Sequence, residues 1–268
     1  MISSDGPLTP PPDVADALAR TAARRGGMGA RLIWYPITTS TNDRAMEEAV
    51  SGAAHGTLVV AECQSAGRGR LGRVWQSPSG AGLYLSVVVH LPAAVAPLLT
   101  LAAGVAVADG LRVSTGLEVQ LKWPNDIWVD GRKLGGILAE AAAIQAERAV
   151  VVTGIGVNLA PSALPPDVAG RATSIEEELG RAVDRSLVLA EVLVACEERT
   201  RQLAEGGAPA MLADWRTLAA SLMGRRVTWD RGGEAVEGQA TGIDDTGALV
   251  VVTAGGVERI VAGEVRWS

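Results

Sequence analysis

Four short polar segments interrupt a series of otherwise apolar strands, and each sits where a strand ends. They are STN at 40–42, ECQSAGRGRLGRVW at 62–75, KWPNDIWVDGRKLGGIL at 122–138 and GIGVN at 154–158. The stretches beside them, TLVVAEC (57–63), LYLSVVVHL (83–91) and AVVVTGIGVNL (149–159), read as buried strands, the last as a central one. A sheet that gathers polar residues at its strand ends, on backbone freed by glycine, is the setting of a ligand site. At 268 residues and 48% hydrophobic, the chain can bury a sizeable core and hold one large domain plus a small one.

The remaining elements follow from periodicity. Asp13–Arg25 places Val14, Leu18 and Ala22 at helical spacing, RLIWYPI is strand-like, and Ser40 or Thr41 can cap a helix beginning near Asn42. Residues 95–114 predict a buried helix. VQLKW (119–123) and DIWV (126–129) predict strands, with Asp130–Gly131 turning into LGGILAEAA. A loop over 161–170 and helices over 186–204 and 208–219 come next. After Met223 short strands alternate with Gly and Asp turns, a small β-barrel pattern. The fold class is therefore α+β, a mixed or antiparallel sheet with flanking helices. The expected division is an N-terminal extension (1–30), a main domain (31–222) and a small β-barrel (223–268).

A net charge of −6 argues against nucleic acid as the main partner. Cys63 and Cys196 make neither a disulfide framework nor a metal site, which points to a reducing cytoplasm. MISSDGPLTPPP has no signal-peptide features, and the apolar window Pro97–Ala108 is short of a membrane span, so no membrane association is expected. Arginine outnumbers lysine 22 to 2, and only Asn42, Asn125 and Asn158 are asparagines. In a chain so poor in both types, Lys122, Lys133 and these asparagines are candidates for chemistry that arginine and its like cannot replace. His55 and His90 lack carboxylate or cysteine partners at useful spacing and read as structural; Glu176–Glu178 reads as a solvated face.

Taken together, the four segments resemble biotin protein ligases, in spacing and order across residues 32–160, and the C-terminal strands resemble that family's barrel. The resemblance implies a class II synthetase-like core with an SH3-like barrel. It implies a ligase that turns biotin and MgATP into biotinyl-5′-AMP and passes biotin to a lysine of a biotin carboxyl carrier protein or an acyl-CoA carboxylase carrier domain. Ser40, Thr41, Asn42, Gln64, Gly67, Arg68 and Gly136 would take biotin, whose ureido ring needs fixed donors and acceptors. Arg68, Arg70, Arg73, Trp75, Asn125, Lys133 and Asn158 would take the nucleotide, with Trp75 on the adenine and Asn158 at its exocyclic amine. Lys133, Arg70, Lys122 and Asp126 would be catalytic, Asp126 orienting or deprotonating the incoming lysine. No protein metal site is implied, Mg²⁺ being held mainly by the ATP phosphates. GRGRLGRVW would be a lid, with Leu71 where some members carry a further basic residue.

Only one helix is expected before the core, so the ligase-only type, without a DNA-binding domain, is expected, as a monomer or a ligand-linked homodimer. Two alternatives stay open: a lipoate–protein ligase, whose substrate has no ureido group, and a non-catalytic biotin- or nucleotide-binding protein, in which both lysines and Asp126 would be surplus.

Overall fold

The computed structural model describes residues 6–164, 168 and 170–268. The first five residues of the Pro-rich tail, and positions 165–167 and 169 of the expected 161–170 loop, lie outside the described residues. Seven strands form the main sheet: β1 (Leu32–Thr38), β2 (Leu58–Gln64), β3 (Gly82–Pro92), β4 (Gln120–Lys122), β5 (Asp126–Val129), β6 (Arg132–Ile144) and β7 (Arg148–Asn158). Their order is β1-β2-β3-β7-β6-β5-β4, so AVVVTGIGVNL is the central strand. Only β1 and β2 pair in parallel, as a crossover through helix α2 (Thr41–Val50) requires. The β5–β6 turn holds Asp130 at φ 46° and Gly131 at φ 82°, positive φ at both central residues, as a tight hairpin of this hand needs.

The two faces of the sheet are covered unequally. On one lies α3 (Leu99–Thr115), backed by α5 (Arg185–Ala204) and α6 (Ala208–Leu218), while α1 (Pro12–Thr21) rests on α5. Helix α1 buries Val14, Ala17, Leu18 and Thr21; it stops at Thr21, so Ala22 falls off the expected stripe and is exposed. With the 3-10 turn before it, α3 makes a helical run Ala93–Thr115, long and apolar enough to cross a membrane, whose most apolar 18 residues have a mean hydropathy of 1.8. That is longer than the Pro97–Ala108 window, yet 67% of those 18 residues are buried, because a helix apolar all round needs protein on every side. On the other face α2 covers only Ile33, Tyr35, Val59, Ala61, Val88 and Val152. Among the described residues, no other α-helix is packed on that face beside α2.

Five further strands, β8 (Arg226–Arg231), β9 (Glu234–Ile243), β10 (Leu249–Thr253), β11 (Gly256–Ile260) and β12 (Val265–Trp267), make a second, antiparallel sheet in the order β11-β10-β9-β8-β12. It buries Val227, Trp229, Ala240, Leu249 and Val251. Its β9–β10 turn docks on the main core, where Trp123 Nε1 donates to Gly247 O at 2.9 Å.

Two expectations change. Glu176–Glu178 is the first turn of a short helix, α4 (Ile175–Leu179), and binds protein: Glu177 and Glu178 pair with Arg132, and Thr173 donates to Glu178. The partner lies more than forty positions away, out of reach of any local reading. His55 remains structural, accepting from His90 N at 3.0 Å, but the fold does bring it a carboxylate, Glu197 at 3.9 Å.

The α3–α5 crossing separates two glycines. A Cβ at Gly110 would lie 2.6 Å from Val192 Cα, backbone that cannot yield, whereas at Gly104 it would meet Leu121 at an ordinary 3.4 Å. Helix propensity favours alanine at both by about 1 kcal/mol, and overpacking costs about 1–3 kcal/mol. Thermal denaturation should show Gly110→Ala destabilised and Gly104→Ala unchanged or slightly more stable; equal shifts would contradict this packing.

Candidate active site

The uncovered face of the main sheet carries a cavity of about 510 Å³, within the usual range for a small-molecule site. Its floor is made of missing side chains. Gly154 and Gly156 of β7 point to this face, as does Gly136 of β6, which pairs with Gly156. A Cβ at Gly154 would collide with the Asn42 carboxamide, and one at Gly156 would lie 2.6 Å from Trp75 Nε1. These glycines serve close approach.

At one end the walls are buried and neutral. Ser40 takes the N-cap position of α2 without its hydroxyl capping the helix. Gln64 Oε1 accepts from Thr41 N at 2.8 Å and Thr41 Oγ1 at 3.2 Å, and Gln64 Nε2 donates to Ser77 Oγ at 2.7 Å. Ser86 in mid-β3 donates to Asn42 Oδ1 at 2.8 Å, with Thr41 Oγ1 2.9 Å away. Asn42 Nδ2 in turn donates to Glu140 at 2.8 Å, and Glu140 pairs with Arg68, which also holds Asp43. Hydrogen bonding to Asp43 first, and the charge of Glu140, raise the Arg68 pKa further.

The other end is cationic. Lys133 Nζ lies 2.6 Å from Asp126 Oδ1 and 5.6 Å from the Trp75 ring centre. A bulge makes this possible. Asp126 faces Gly136 and Trp128 faces Lys133, so β6 spends one extra residue, and Lys133 returns to the face of Gly136. Lys122 Nζ sits 3.8 Å over the Trp128 ring. Burial lowers its pKa to about 8, against the pull of the Asp126 carboxylate. Arg70 donates to Asn125 Oδ1 at 3.3 Å, and burial lowers its pKa as well. Asn125 Nδ2 donates to Ile137 O and Asn158 Nδ2 to Thr173 O, which orients each amide.

The 67–75 segment lies over both ends. It is a small hairpin, with Gly69 N donating to Arg73 O, Trp75 N to Gly67 O, and Leu71 at the tip at φ 56°. Its arginines diverge: Arg68 to Asp43 and Glu140, Arg70 to Asn125, Arg73 to Glu264 of the second sheet.

Of the residues singled out from sequence, Ser40, Thr41, Asn42, Gln64, Arg68, Arg70, Arg73, Trp75, Lys122, Asn125, Asp126, Lys133, Gly136 and Asn158 all line this one cavity. Gly67 does not; it lies at the base of the hairpin, in an adjoining groove. Both lysines and all three asparagines are among the lining residues. Sequence reading missed Ser86, Asp43, Glu140 and the Gly263–Trp267 wall. Ser86 left a signal, a hydroxyl inside LYLSVVVHL, and Glu140 shares the alternating face of Gly136 and Leu138. The wall left none.

A buried hydrogen-bonding set joined over a glycine floor to a cationic end defines a site for a polar ring tethered to an anion. Residues 34–158 match the biotin/lipoate A/B protein ligase family, and 222–266 match the biotin protein ligase C-terminal domain. The chain is 38% identical over 237 residues to the biotin--[acetyl-CoA-carboxylase] ligase of Mycobacterium tuberculosis, covering 85% of each. It is 34% identical over 260 residues to the bifunctional ligase/repressor BirA of Bacillus subtilis, covering 96% of this chain and 80% of that one. The biotin protein ligase of Aquifex aeolicus, solved in complex with biotin and ATP, superposes with a TM-score of 0.76 at 29% identity, covering 89% of this chain and 99% of the other. The chain belongs to the biotin/lipoate A/B protein ligase family.

Arg68 pins the hairpin to the neutral end through half-exposed pairs, each worth about 1 kcal/mol or less. Glu140→Gln should therefore leave the melting temperature nearly unchanged but speed tryptic cleavage within 67–75 about two- to fivefold. Unchanged cleavage would mean that the hairpin does not depend on Arg68.

Proposed function

We propose that this protein activates biotin with ATP as biotinyl-5′-AMP and transfers biotin to a lysine of a biotin carboxyl carrier domain. The observation that carries the reading is the single cavity with a buried hydrogen-bonding end and a cationic end. The set around Thr41, Asn42 and Ser86 suits a ureido ring, which offers both donors and acceptors. A dithiolane ring offers no hydrogen-bonding groups to exchange with this set, which favours biotin over lipoate.

In the first step a carboxylate oxygen attacks the α-phosphorus and pyrophosphate leaves. Two anions meet, so Arg70, Lys133 and Lys122 offset their charge at the reacting centre. Mg²⁺ would come with ATP, held mainly by its phosphates and water. Trp75 offers a flat face to adenine, and Asn158, its Nδ2 tied to Thr173 O, turns Oδ1 toward the exocyclic amine. In the second step the carrier amine attacks the acyl carbon, the bond to the phosphate oxygen breaks, and AMP departs. Asp126, held by Lys133, orients that amine and receives its proton. The 67–75 hairpin closes over the mixed anhydride and keeps water out. The division into a catalytic domain (31–222) and a small domain (223–268) belongs to the same reading.

Pyrophosphate–ATP exchange tests the first step. It should depend on biotin, not lipoate, and fall about 100-fold in Lys133→Ala, the loss of about 3 kcal/mol of transition-state stabilisation. Exchange driven by lipoate, or none with either acid, would refute the reading.

The depressed pKa of Lys122 makes a separate demand. An anion binds the ammonium form, so ATP binding draws a proton onto Lys122, and the affinity falls as pH rises through about 8. Titration calorimetry in buffers of different ionisation heat should find proton uptake near pH 8 that disappears in Lys122→Arg. Equal uptake in both proteins would assign the proton elsewhere.

A further inference from the structure

Gln64 is the hub of the neutral end of the cavity, yet the strand end that carries it has little sheet around it. Strand β2 pairs with β3 only over Leu58–Ala61, the last pair being Ala61 with Tyr84. Its pairing with β1 continues to Gln64 opposite Thr38, and β1 is the edge strand of the sheet. On its other side Gln64 meets Ser77 instead of β3, with Gln64 N donating to Ser77 O at 3.1 Å. Ser77 lies in the connection between the hairpin and β3, which is tied down where Tyr84 OH donates to Pro78 O at 3.1 Å.

Arg185, the first residue of α5, reaches this strand end from the helix-covered face. Its Nη1 donates to Glu62 Oε2 at 2.5 Å and its Nη2 to Ala61 O at 3.3 Å, while the guanidinium lies 5.6 Å from the ring centre of Trp34 in β1. One planar fork thus ties β1 and β2 together where β3 leaves them. Its charge also reaches Tyr84, where it opposes the rise in the phenol pKa that burial causes. The base of the fork is itself fixed. Asp184 accepts from Ser186 N at 2.9 Å and Leu187 N at 3.0 Å, and Ser186 donates to Asp13 of α1. Neither Arg185 nor Glu62 is among the described residues that line the cavity, so neither touches what binds there.

We propose that Arg185 is a positioning residue for the ring end of the cavity: through Glu62 and Ala61 O it fixes the end of β2, and so holds Gln64 where Thr41 and Ser77 need it. The inference rests on the reading of that end as the biotin site. Gln64 Oε1 serves Thr41 N and Oγ1 at 2.8 and 3.2 Å, and its Nε2 serves Ser77 Oγ at 2.7 Å. Hydrogen bonds weaken steeply as distance and angle drift, and a site is only as exact as the groups that support it. Lys122, Asp126 and Lys133 sit on β4, β5 and β6, beyond β3 and β7 in the sheet. Loss of the fork should therefore loosen the ring end and spare the cationic end.

Pyrophosphate–ATP exchange on the full chain, with biotin and ATP varied in turn, reads the two ends separately. Arg185→Ala should raise KM for biotin about tenfold and leave KM for ATP and kcat within about twofold of wild type. In a Gln64→Ala background the same substitution should add nothing, since the two residues act as one unit. Glu62→Gln keeps the shape and removes the charge; it should raise KM for biotin about threefold, and it decides the matter if Arg185→Ala does not fold. An unchanged KM for biotin would overturn the assignment, as would additive effects of Arg185→Ala and Gln64→Ala. Equal rises in both KM values would overturn it too, since they mark a role in holding α5 on the sheet. Wild-type protein with no biotin-dependent exchange would refute the biotin reading instead, and is told apart because it appears before any substitution is made.

Discussion

Close approach to a bare backbone is the constraint on which the rest of this structure depends. Gly136, Gly154 and Gly156 remove side chains from the middle of a sheet that is apolar almost everywhere else. Around them β7 carries on as a buried strand, with Val152, Ile155 and Val157 anchoring it to both faces. The sheet therefore stays rigid while its centre is hollowed. Rigid elements hold a site more closely than loops do, and here the floor is the central strand itself.

Two devices bring chemistry to that floor. The hydrogen-bond chain from Gln64 through Thr41, Ser86, Asn42 and Glu140 ends at Arg68, so the neutral end of the cavity and the hairpin above it share one network. The bulge in β6 turns Lys133 toward Asp126 and places a cation where a regular strand would bury it. The second sheet then meets the hairpin through Arg73 and Glu264. The hairpin is tied at its base to the main sheet and near its tip to the second, so its closure involves both.

Much of this could be read in the sequence because the site is built on strand ends. Strands of period two bounded by glycine announce themselves, and in a chain with two lysines and three asparagines the scarce residues marked the cavity. What could not be read depended on contacts remote in sequence. Arg132 finds Glu177 and Glu178 only once β6 and α4 are adjacent. Arg266 and Trp267 look like the end of a small β-domain until that domain docks on Trp123. The expected lid is itself a hairpin, and only the hydrogen bonds across 67–75 reveal that. The apolar window Pro97–Ala108 stops at Asp109, whose charge is paired with Arg199 of α5 in the fold, so the helix expected over 95–114 runs on through it to Thr115.

The central claim is that neighbouring glycines floor two subsites, Gly154 beneath the ring end at Asn42 and Gly156 beneath the nucleotide end at Trp75. Titration calorimetry of biotin and of a non-hydrolysable biotinyl-5′-AMP analogue against Gly154→Ala and Gly156→Ala tests it directly. The account predicts that Gly154→Ala weakens binding of both ligands, whereas Gly156→Ala weakens the analogue and spares biotin. Equal losses for both ligands in Gly156→Ala, or wild-type biotin affinity in Gly154→Ala, would contradict it.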